Sequence, residues 1–274
     1  MGLNAEMVRI LVELRPQLGV GGLSVIELGA QDLCAAPEAV DHVLVQGGVG
    51  AAPEAITTAR ALYERLGYSR YECIDATDLH GARIFDLNRN IAQEYGFTDR
   101  FDVVTNLGTA EHCFNQFEVF RNMHEMCKVG GFIIHAAPSA GNVNHGFFNY
   151  HPRFFADLAA ANKYRIVRLA FTVDYQPNLI EYSLERFKRY DNRDLLFYAV
   201  LQRVSDDAFQ TPFDGMFASE NALQSYAGPT GDPLTTAFAP YLKGGDWSGT
   251  RGHAVLPWWR RGRAGRLLAG LSGR

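Results

Sequence analysis

Carboxylates that close apolar runs are the first residues in this chain whose type and place suggest chemistry. Glu27 closes VIEL within VIELGAQD (25–32), Asp75 closes YECID, and Asp86 stands in IFDLN. One acid at a strand end reads as a turn or cap residue, whereas three in order suggest a shared ligand. A charged carboxylate at such a tip accepts hydroxyl hydrogen bonds strongly. Gly29 supplies a sharp turn after Glu27, but the position where a pyrophosphate-binding loop needs its second glycine is Gln31. NAD and FAD are therefore disfavoured, and with them a nicotinamide oxidoreductase.

Two further stretches carry groups able to move protons. In TNLGTAEH, Asn106 ends an apolar run, and Glu111 and His112 follow after one glycine turn. In SAGNVNHGFFNYHP, His145 and His151 flank Phe147, Phe148 and Tyr150. Histidine titrates near neutrality and serves as a general base, and an aromatic wall suits a cation. Glu111, His112 and His145 are the candidate catalytic residues. His135, inside FIIHAAP, reads as a core residue, and His151 reads as the residue before a helix. Phe147 and Phe148 read equally well as sheet cover. With no HExxH spacing and no close pair among Cys34, Cys73, Cys113 and Cys127, no metal site is expected.

These groups need a scaffold, and the apolar pattern outlines one. Strand-like runs recur at 24–28, 71–75, 82–87, 101–106, 131–136, 164–171 and 195–204. Helical spacing appears at 5–17, at 56–66, at 114–127 with Phe114, Phe117, Phe120 and Met123 on one face, and at 152–161 behind Pro152. Alternating strands and helices predict a mostly parallel sheet covered on both faces, with 195–204 returning antiparallel. The stretch HVLVQGGVG admits a strand and glycine loop, but a helix over 37–46 closed by Gly47 and Gly48 leaves VIELG its partner. Only a few residues separate Asp75 from the next run, fewer than a helical crossover needs.

Composition narrows the setting. The chain has 274 residues, 47% hydrophobic and 20% charged, with a net charge of -4. Residues 247–274 contain six arginines and no acid, leaving 20 basic against 30 acidic residues in 1–246. That acidic body suits no nucleic acid. No apolar run approaches the ~20 residues of a membrane span. Without a leader pattern, and with Glu6 where a myristoylation signal needs Ser or Thr, the expected location is cytoplasmic, with reduced thiols. The pattern dissolves after Ser205, so the expected division is a domain over 1–205 and an irregular extension over 206–274. The closing PWWRRGRAGRLLAGLSGR reads either as a solvated tail or as a segment making peripheral contact with an anionic membrane.

In their order and spacing, ELG at 27–29, the acid of YECID, IFDLN at 84–88, FDVVTNLGTAEH at 101–112 and MCKVGGFIIHAAP at 126–138 resemble class I, Rossmann-like S-adenosylmethionine-dependent methyltransferases, over roughly 20–205. HGFFNYHPRFFADLAAANKY (145–164) is similar to a signature in a bacterial subgroup of such proteins. The resemblance implies a Rossmann-like, seven-stranded, mostly parallel α/β sheet with S-adenosylmethionine as cofactor, a ligand with no pyrophosphate to accommodate. It implies cofactor contacts from Glu27, Gly29, Gln31, Asp75, Asp86, Leu87 and Asn106, with Asp75 taking both ribose hydroxyls and Asp86 and Leu87 on the adenine side. The acceptor implied is a small molecule, glycan or lipid headgroup methylated at oxygen or nitrogen. Gln31 and the short crossover keep open a non-catalytic binding or scaffold module.

Overall fold

The computed structural model describes residues 2–19, 21–190 and 192–218; the Trp/Arg tail read from the sequence lies outside them. The strands are β1 (Leu23–Leu28), β2 (Tyr68–Asp75), β3 (Arg83–Ile84), β4 (Phe101–Leu107), β5 (Cys127–Ala140), β6 (Arg165–Val173), β7 (Ile180–Glu181) and β8 (Leu195–Gln202). They form one sheet in the order β3-β2-β1-β4-β5-β8-β6-β7. β8 runs antiparallel between β5 and β6, and β7 pairs antiparallel with β6; the other pairings are parallel. Among the described residues the expected seven strands are therefore eight. The addition is a two-residue edge strand in a polar stretch too short to show alternation.

Among the described residues six helices cover the sheet, three to a face: α1 (Ala5–Leu14), α2 (Pro37–Gln46) and α3 (Ala59–Arg65) on one, α4 (Ile91–Tyr95), α5 (Gln116–Met126) and α6 (Pro152–Ala161) on the other. α7 (Leu184–Phe187) adds Phe187 to the second face. Local signals fix most bounds. Proline at the first turn opens α2 and α6, Gly47 caps α2, and the Asn4 side chain accepts from Met7 N–H to open α1. Asn115 caps α5 and so leaves Phe114 outside the helix, 79% exposed. The expected face through Phe114 and Phe117 is corrected to Val119, Phe120, Met123 and Met126, all buried.

Between β2 and β3 the chain makes only a 3-10 turn, Leu79–Gly81, and β3 pairs over two residues at the sheet edge where 82–87 was expected. Residues 207–209 lie against α5, where His124 Nε2 meets Asp207 O at 2.8 Å and Phe209 meets Phe117 edge-on, and the chain then reaches α6, where the Asp157 carboxylate accepts from Gly215 N–H at 3.0 Å and Phe217 N–H at 2.8 Å. Among the described residues no helix is long and apolar enough to cross a membrane.

Candidate functional site

Strand order reverses between β1 and β4, so the crevice of an open parallel sheet falls beyond Leu28 and Leu107. Gly29 turns there with φ +80° and donates its N–H to the Ile74 carbonyl at 2.7 Å. A Cβ at this position would sit 2.3 Å from Thr109 Oγ1, so the turn needs glycine for both conformation and space. Thr109 donates to the Leu28 carbonyl at 2.7 Å, and Gln31 Nε2 reaches Leu28 O at 3.1 Å and Thr109 Oγ1 at 3.2 Å. Gln31 Oε1 is buried and has no hydrogen-bond partner. The N-terminal segment backs this loop, with Leu3 N–H on Asp32 O and Cys34 N–H on Leu3 O.

Asp75 stands at the tip of β2 beside that turn. Its Oδ2 accepts from Ala30 N–H at 3.0 Å, and its Oδ1 from Thr77 N–H at 3.0 Å and Thr77 Oγ1 at 3.1 Å. Partial burial alone would raise its pKa, but these bonds outweigh burial and hold the carboxyl below its ordinary value. Ala30 and Thr77 thus fill at least three of about four acceptor positions on the carboxylate, leaving at most one where the expected grip on two hydroxyls needs two.

Glu27 faces the other way. Its side chain has no exposure and lies on the α1–α3 face, where Oε1 accepts from Tyr63 Oη at 2.8 Å and Oε2 from Tyr71 Oη at 2.9 Å. Burial drives its pKa up to about 8 against the hydrogen bonds of Tyr63, Tyr71 and the Gln31 backbone. The expectation of a direct cofactor contact is corrected: Glu27 holds the loop from behind through Gln31 N–H. Asn106, also without exposure, works similarly, its Oδ1 accepting from Ala110 N–H at 2.9 Å and Thr109 N–H at 3.3 Å.

On the β3 side Asp86 is exposed and accepts from the Asn88 N–H and side-chain amide, which lower its pKa, while Leu87 is buried in the core. Asn88 in turn binds Asn115 through two hydrogen bonds, Asn115 N–H to Oδ1 at 2.9 Å and Asn115 Nδ2 to Asn88 O at 3.0 Å. That tie joins the loops after β3 and β4. Neither it nor the roles of Thr109, Tyr63 and Tyr71 were read from the sequence, because each partner lies in another element.

Glu111, His112 and His145 come together. A 3-10 turn, Ala110–His112, carries the first two, and the loop after β5 brings His145 through left-handed residues Gly141, Asn142 and Asn144. Phe147 N–H donates to Glu111 O at 2.8 Å, and the two imidazole rings lie 5.0 Å apart. Glu111 has no exposure, its Oε1 is 3.4 Å from His145 Nε2 without hydrogen-bond alignment, and both of its oxygens lack hydrogen-bond partners. Burial raises the Glu111 pKa, and burial followed by the His145 charge lowers that of His112. His135 is a core residue without exposure, and His151 precedes α6. Phe148 packs on the core, whereas Phe147 is 69% exposed and meets Phe114 edge-on.

The junction of the two loops depends on Gly146, where a Cβ would meet Glu111 Cγ and O, each at 3.0 Å. Gly146→Val is expected to cost about 1–3 kcal/mol by overpacking, measured by denaturant unfolding. Unchanged stability would mean that the loop does not rest on Glu111.

No family model and no curated protein matches the sequence. Solved structures with similar folds include TehB from Haemophilus influenzae, at 11% identity over 71% of this chain and 61% of that one, with a TM-score of 0.44. Less than two thirds of TehB is therefore spanned. Another is the 1,6-didemethyltoxoflavin-N1-methyltransferase of Burkholderia thailandensis, with its bound substrate and S-adenosylhomocysteine, at 13% identity over 71% and 78%, TM-score 0.41. A third is the N-methyltransferase NodS of Bradyrhizobium japonicum, at 14% over 72% and 95%, TM-score 0.39. By its strand order, its reversal between β1 and β4 and the antiparallel β8, the chain has a Rossmann-like α/β fold.

Proposed function

We propose that the chain is an S-adenosylmethionine-dependent methyltransferase that modifies an oxygen or nitrogen of a small molecule, glycan or lipid headgroup. One observation carries this reading: Asp75, the unpartnered Gln31 Oε1 and the Glu111–His112–His145 group all stand on loops at the C-terminal ends of β1, β2, β4 and β5. The donor set fits the cofactor. Asp75 keeps an acceptor position for a ribose hydroxyl, and Gln31 Oε1 suits the ammonium of the methionine part. Asp86 and the Leu87 backbone flank the adenine side, on loops tied by Asn88 and Asn115. When bound, S-adenosylmethionine supplies an electrophilic methyl group.

The chain's own residues align the acceptor, exclude water and take its proton. The exposed His112 imidazole takes that proton, with the His145 ring 5.0 Å away and Glu111 3.4 Å behind that ring. A cavity of about 840 Å3, with Phe148, Tyr150, Phe154 and Phe187 among its aromatic walls and Arg153, Asp157, Lys188 and Asp214 among its charged ones, offers the acceptor a mixed aromatic and polar seat. Its wall meets the catalytic turn through Gln116, which accepts from Tyr150 Oη at 2.5 Å and donates to Ala110 O at 2.8 Å. Titrating the full chain with S-adenosylmethionine and S-adenosylhomocysteine in a calorimeter should give saturable heat; none with either ligand sinks the reading.

A second reading, a non-catalytic binding module of the same fold, is favoured by the closure of the β1–β4 crevice by Thr109 and Gln31. Cofactor binding without transfer of labelled methyl to any acceptor in a cell extract would select it.

A further inference from the structure

We propose that Glu111, His112 and His145 bind one divalent transition-metal ion of zinc's class. One ligand atom from each lies within 4.8 Å of the other two. Both carboxylate oxygens of Glu111 and the Nε2 of His145 are buried without a hydrogen-bond partner, and the Glu111 side chain has no exposure. A carboxylate whose close side-chain partner is one imidazole nitrogen 3.4 Å away, out of hydrogen-bond alignment, is costly to bury. A cation shared with two imidazoles relieves that cost.

The donors select the ion. Two imidazole nitrogens and one carboxylate suit zinc or a neighbouring transition metal, whereas magnesium and calcium take oxygen shells. Bonds near 2.0 Å set tetrahedral ligand atoms roughly 3.3 Å apart. Glu111 and His145 already stand at 3.4 Å. His112, exposed on its 3-10 turn, has to close by only about 1–1.5 Å to reach the spacing of such a site. Three protein ligands leave a position open, as in catalytic zinc sites. The sequence pointed to no metal because its ligands come from loops after two different strands rather than from one helix.

The binding stands on these side chains alone, while its consequence rests on the methyltransferase reading. An acceptor hydroxyl in the open position would become more acidic, with its proton leaving to water because both imidazoles are then ligands.

The untagged full chain, stripped by a chelator, should take up a single equivalent of zinc, and cobalt should give the visible absorption of a low-coordinate nitrogen and oxygen site. Glu111→Gln and His145→Ala should each weaken zinc binding by more than the ~10–100-fold that loss of an outer-shell partner costs, with circular dichroism unchanged. His42→Ala, exposed on α2, should bind as the parent does. Should a variant fail to fold, the cobalt spectrum of the parent chain decides. Absence of uptake by the parent, or stoichiometric uptake that survives both substitutions, overturns the proposal. Cofactor titration of the stripped protein separates the two readings. Cofactor heat without metal uptake removes the metal site alone, and metal uptake without cofactor heat removes the methyltransferase reading alone.

Discussion

Asp75→Ala is expected to weaken S-adenosylmethionine binding by about 2 kcal/mol, roughly 30-fold in Kd, the worth of one hydrogen bond to a charged acceptor. Two effects combine in that loss. The ribose loses its acceptor, and Ala30 N–H, now held at 3.0 Å, loses the group that fixes the turn after β1. Asp75→Asn keeps an amide oxygen that can face Ala30 but replaces the other oxygen with a donor, so it should fall between the parent and Asp75→Ala. Calorimetric titration of the three proteins reads the series. Equal affinity in all three would remove Asp75 from the cofactor site.

Glu27→Ala should lower stability by about 3–5 kcal/mol, because it strands two buried tyrosine hydroxyls and leaves a cavity. Glu27→Gln keeps an acceptor and removes the titration. The sign of the pH effect follows from proton counting. With a folded pKa of about 8 against an ordinary 4.5, the folded chain holds a proton that the unfolded chain has released, so stability falls as pH rises from 4.5 to 8. His135 and His124 act oppositely. Burial pushes them from 6.5 down to about 3 and about 4, so their contribution is full above 6.5 and is lost as pH falls toward those values. Together these three groups place maximal stability near pH 6.5. Thermal midpoints across a pH series should show that maximum, and Glu27→Gln should flatten its alkaline side. An alkaline slope unchanged in Glu27→Gln would mean that Glu27 is ionised in the fold.

Much of the scaffold was legible because its signals are local. Pro37 with Gly47, and Pro152 with the apolar run behind it, fixed α2 and α6 to the residue, since caps and helical spacing act within one or two turns. β1 was found for the same reason, but not the direction of Glu27. All six residues of β1 are buried, so alternation carries no sign of which face an acid meets. Only the arrival of Tyr63 from α3 and Tyr71 from β2 decided that it serves the turn from behind.

Sequence alone determined the α/β alternation, the antiparallel return of 195–204 and the candidacy of Glu111, His112 and His145. Tertiary structure decided that β8 enters between β5 and β6, that Asp75 spends most of its acceptor capacity within the protein, and that those three side chains meet. Helix and strand identity follow from neighbours a few residues apart, whereas a site assembled from several loops follows from sheet order. That order is fixed by burial of both faces at once and has no counterpart in any short stretch of chain.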